Sequence, residues 1–139
     1  MAVRSRFWLA GLVARRIGHG HQGWGGRKRS SLSATYGSAN VRRYAGADRY
    51  ATATAIANGL NLNPNKVYVV TGLNFPDALV ASNLAAHTFS PLIMVDRGLP
   101  DATCTFLAAK RTDITSLINV GGEGVISVVQ NSALRAALK

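Results

Sequence analysis

Three histidines, one cysteine and six acids carry most of what this 139-residue chain can offer to acid–base, thiol or metal chemistry. His19 and His21 stand two positions apart and can pinch a cation. No third ligand lies nearby, and a zinc site needs at least three protein ligands. His87 closes a helical pattern, where a protonated imidazole faces the negative end of the helix dipole. Cys104 is alone, so no intrachain disulfide can form. Between Thr103 and Thr105 on a helical pattern, it reads as a packing residue rather than a nucleophile. The acids Asp48, Asp77, Asp96, Asp101, Asp113 and Glu123 fall mostly where caps and turns account for them. Two glycine-containing turns, Thr71-Gly72-Leu73-Asn74 and Gly121-Gly122-Glu123-Gly124, precede helices, the places where anions bind. Neither matches a dinucleotide or P-loop fingerprint, and Asp77 and Glu123 put negative charge where a phosphate would have to sit. The expectation is therefore no catalytic residue, no metal, no cofactor, and no enzyme.

Cations are what remains. Residues 1–43 hold nine basic side chains and no acid, whereas residues 44–139 hold seven basic and six acidic ones, a balance of +1. The net charge of +10 thus belongs to the leader. A nucleic-acid-binding domain carries its charge on the folded surface, so nucleic acid is an unlikely partner except through that leader. If the domain itself holds an anion, local clustering must do it. The candidates are Arg43 and Arg49, backed by Arg97 or by Lys110-Arg111. A structural ion pair of Arg49 with Asp48 or Asp77 is the competing reading, since a guanidinium fork suits carboxylates as well as phosphates.

The elements that must position these residues are legible from residue 41 onward. Residues 1–40 read as a disordered basic leader, a degenerate secretory signal built on Phe7–Ala14, or a transit peptide. No apolar run approaches the ~20 residues of a membrane-spanning helix. Val41–Tyr44 suggests a short extended segment, and Asp48 caps a helix that Gly59 stops. Val67–Val70 reads as a buried strand and Pro76 opens an alanine-rich helix to about residue 87. Pro91–Val95 is a second strand, and Leu99-Pro100-Asp101-Ala102 echoes Phe75-Pro76-Asp77-Ala78, with the prolines 24 positions apart. A third pass gives strand 116–120 and a helix capped by Ser127. Strand and helix alternating at this period predict parallel βαβ units with right-handed crossovers. The fold class is α/β: a small parallel sheet of three to four strands with helices on both faces, a Rossmann/Toprim-like single repeat over 41–139. About 100 residues bury only about 60–70% of their unfolded surface. A sheet this small is short of cover, which predicts a partner.

Four motifs then stand in order: Arg43–Ala53, Thr71–Leu79, Pro91-Leu92-Ile93-Met94, and Val120-Gly121-Gly122 with Val125-Ile126-Ser127. Together they resemble the type 2 cell wall-binding repeat family, found in surface proteins and cell-wall hydrolases of bacteria, usually as three tandem copies. The resemblance implies a secreted, cell-surface module that attaches non-covalently to an anionic cell-wall polymer and does no chemistry. It implies association with other copies of the repeat, in a homo-trimer or within a larger parent protein. Leu92-Ile93-Met94 falls where the family often has an aliphatic motif linked to wall anchoring. The alternative is a fragment of a cell-wall hydrolase, an N-acetylmuramoyl-L-alanine amidase without its catalytic domain.

Overall fold

A computed structural model describes residues 31–139. The chain divides after Arg43, and the two parts are described separately. In the first, residues 31–36 are helical and Ser38–Asn40 form a single 3-10 turn. The expectation of a leader over 1–40 lies, up to residue 30, outside the described residues. Residues 41–44, expected to be extended, carry no regular structure.

In the second part, Tyr44–Lys139, helices and strands alternate. They are α1 (Arg49–Gly59), β1 (Lys66–Thr71), α2 (Pro76–Thr88), β2 (Leu92–Val95), α3 (Asp101–Lys110), β3 (Ser116–Asn119) and α4 (Val128–Ala136). The three strands are parallel in the order β2-β1-β3, with Val69 opposite Ile93 on one side and Asn119 on the other. The sheet therefore has three strands, the lower end of the expected range.

Strand alternation sorts the core. Val67 and Val69 of β1 and Ile93 and Val95 of β2 point to one face. There they join Ala57 of α1, Phe106 and Leu107 of α3, and Leu134 of α4 in one buried cluster. Tyr68 and Val70 turn to the other face, where α2 packs on β1 and β2 through the buried Ala81 and Ala85. Alanines allow that close approach, so the helix needs no deep groove. Helices thus cover both faces, three on one and α2 on the other.

The helix ends follow their sequence signals. Asp48 accepts the Ala51 backbone N–H at 2.7 Å and opens α1. Pro76 opens α2 with a residue that has no N–H to satisfy. Ser127 and Gln130 form a reciprocal capping box at the start of α4. Buried Thr103 donates to the Met94 carbonyl at 2.7 Å and fastens α3 to β2.

Candidate functional site

The carboxyl ends of β1 and β2 are where an open α/β sheet exposes its turns, and Arg49 and Arg97 both act on Asp96 there. Arg49 begins α1, its guanidinium donates to the Gly72 carbonyl just beyond β1, and it lies over the Tyr50 ring at 5.5 Å from the centroid. The partner is thus a carbonyl and a ring face. The expected carboxylates are engaged elsewhere: Asp48 caps α1, and Asp77 lies beside Gly121 at the start of α2. The carboxylate whose titration Arg49 affects is Asp96, not either of the two expected from the sequence.

Tyr50, next along α1, is buried and passes under the same turn. A Cβ on Gly72 would come within 2.6 Å of its ring, so the residue at 72 must have no side chain. The Tyr50 hydroxyl donates to Asp96 Oδ2 at 2.8 Å. Asp96 is the hub of this edge. Its Oδ1 accepts the Arg97 backbone N–H at 2.7 Å, and its carbonyl accepts the Gln130 side-chain amide of α4. The Arg97 N–H first, then the Tyr50 hydroxyl, holds the Asp96 carboxyl below its ordinary value of 3.8, with the charges of Arg49 and Arg97 adding to the effect. Burial first, then the Asp96 carboxylate, pushes the Tyr50 phenol above its ordinary 10.0. The result is an exposed edge with two arginines around one tied carboxylate.

The other candidate residues are dispersed. Arg43 is exposed and belongs to the first part of the chain, which is described by itself. Lys110 and Arg111 end α3 and lead into β3, at the opposite, amino edge of the sheet. A cavity of about 20 Å³ beside Lys110, room for one water, is far short of a ligand cleft. In Leu92-Ile93-Met94 the pleat divides the three. Ile93 is fully buried in the core, while Leu92 and Met94 are half-buried on the α2 face. Ile93 can serve binding only by fixing β2. Cys104 is exposed and does not pack. Among the described residues, no group of three acids, histidines or cysteines is placed to hold a metal ion.

Sequence reasoning missed the Asp96 hub. Its partners are 46 and 34 positions away along the chain, and no local pattern links them.

Three comparisons bear on this site. Residues 43–129 match the sequence model of the family described as Cell wall binding domain 2 (CWB2). None of the curated proteins compared is similar enough to count as a match. Among solved structures, Cwp8 from Clostridium difficile superposes with a TM-score of 0.65 at 26% identity, over 81% of this chain and 18% of that one. Cwp6 from the same organism gives 0.61 at 27% identity, over 68% of this chain and 15% of that one. The chain thus spans less than a fifth of either.

Proposed function

The chain belongs to the Cell wall binding domain 2 family, and we propose that it acts as a secreted, non-catalytic module that holds an anionic cell-wall polymer at the bacterial surface. The observation that carries this reading is the span of the family match. It runs from Arg43 to the first turn of α4 and takes in all three strands. Within that span the edge bearing Arg49 and Arg97 supplies the cationic contacts, with Arg43 as a further one. An exposed guanidinium whose hydrogen-bond partner is neutral keeps its charge for a ligand. Leu92 and Met94 add apolar surface, and Ile93 holds their strand in place. The near-neutral balance of residues 44–139 means that attraction comes from this cluster rather than from a general field.

The module assembles with further copies of its kind. Leu79, Val80, Leu84 and Phe89 stand exposed on or just after α2, the one helix packed on that face of the sheet among the described residues. Apolar surface concentrated on one helix of a small domain is what a protein contact would cover. A trimer is the assembly this reading favours.

Replacing Arg49 by Gln tests the polymer contact. Co-sedimentation with purified bacterial walls should weaken about tenfold while folding is retained, as loss of one charge-assisted contact implies. Unchanged binding would remove Arg49 from the site.

A further inference from the structure

Phe75 is the most exposed aromatic side chain of the part Tyr44–Lys139, with 71% of its surface open. Nothing in the core calls for it there. Yet the turn that carries it is stiff. The Leu73 N–H is tied to Thr71 Oγ1 and the Phe75 N–H to Asn74 Oδ1, each at 3.1 Å, and Pro76 fixes the next φ. The Phe75 carbonyl accepts the Leu79 N–H at 3.1 Å, so its backbone is tied to the turn on one side and to α2 on the other. The backbone beneath this exposed ring thus has little left to order on binding.

Its neighbourhood says what such a plate would meet. Phe75 stands three positions after Gly72, whose carbonyl holds the Arg49 guanidinium, and Leu73, 56% exposed, lies between them. A flat apolar face on the same turn that holds a cation is matched by a ligand that has both an apolar face and a negative charge. A sugar ring fits. Its C–H bonds carry slight positive charge and meet the negative face of an aromatic ring, while a carboxylate or phosphodiester on the same unit reaches the guanidinium. A purely lipid surface would leave the arginines unmatched. A second copy is served by Leu79, Val80 and Leu84 along α2, and sedimentation distinguishes that role from this one.

We propose that Phe75 is a sugar-stacking platform and that, with Arg49, it forms a subsite for an acidic or phosphorylated sugar unit. The proposal rests on the wall-binding reading and names the ligand chemistry of that site. Three forms of the full chain decide it: the native protein, Phe75→Trp and Phe75→Leu, each titrated against purified bacterial cell walls and run in sedimentation velocity. Leu keeps the apolar character but has no flat face. Phe75→Trp should bind as the native chain does, and Phe75→Leu should bind about tenfold more weakly, with sedimentation unchanged in both. Equal binding by Phe75→Leu would overturn the platform and leave wall binding standing. A loss of binding that comes with a changed sedimentation coefficient would overturn it too, making Phe75 an assembly contact. Failure of the native chain to bind walls would bring down the wall-binding reading itself.

Discussion

Arg49 donates its hydrogen bond to a neutral partner and meets carboxylate charge only through the field of Asp96. The Gly72 carbonyl and the Tyr50 ring fix the side chain in place. Such an arrangement depends on Tyr50 staying where Asp96 holds it. Asp96 keeps its proton off more firmly in the folded chain than in the unfolded one, so its contribution to stability is full above its ordinary value of 3.8. That contribution fades as pH falls through the lowered folded value. Tyr50→Phe removes one of the two main causes of that lowering. Denaturant unfolding between pH 6 and pH 2.5 should show a shallower acid loss of stability in Tyr50→Phe than in the native chain. An identical slope would mean that the hydroxyl does not reach Asp96 in solution. At this scale the sequence was half legible. The cap at Asp48 and the proline at 76 announce themselves through neighbours one to four positions away. The partners of Arg49 and Asp96 lie 23 and 46 positions off, and only the folded sheet brings them together.

The elements divide in the same way. Each strand and helix is written locally, in β-branched runs, in the repeated Pro-Asp-Ala openings and in the Ser127–Gln130 box. The order β2-β1-β3 is not, because both neighbours of the central strand pair with it in parallel and neither sequence says on which side. The division of Leu92-Ile93-Met94 between two faces follows from the pleat once that order is known. Two substitutions measure how much the packing carries. Leu134 is fully buried and is the anchor of α4 in the core. Leu134→Ala should cost about 2–5 kcal/mol in denaturant unfolding, the range for a leucine cavity, and leave a domain this small near its folding limit. Gly46 lies against α1, where a Cβ would sit 2.4 Å from that of Ala51 and 2.6 Å from the Thr52 nitrogen. Because the second obstacle is backbone, Gly46→Ala should cost about 1–3 kcal/mol by pushing the Tyr44–Ala47 segment off the helix. A fully stable Gly46→Ala variant would show that this segment is looser than the close approach implies.

At the scale of the molecule, two needs coincide. Three strands give a narrow sheet, and α2 leaves Leu79, Val80 and Leu84 in water. Leu84→Ser with Val80→Ser should shift sedimentation equilibrium from an assembled species toward the monomer, with circular dichroism unchanged. A native chain that is already monomeric at high concentration would contradict assembly through α2. The family match supports a cell wall-binding module, and the proposal adds an anionic target met by the edge of Arg49 and Arg97. The most direct measurement compares sedimentation of the chain with intact bacterial walls and with walls stripped of their anionic polymer, each at low and at high salt. The account predicts binding to intact walls that weakens as salt screens the arginines, and little binding to stripped walls. Equal binding to both, indifferent to salt, would contradict it.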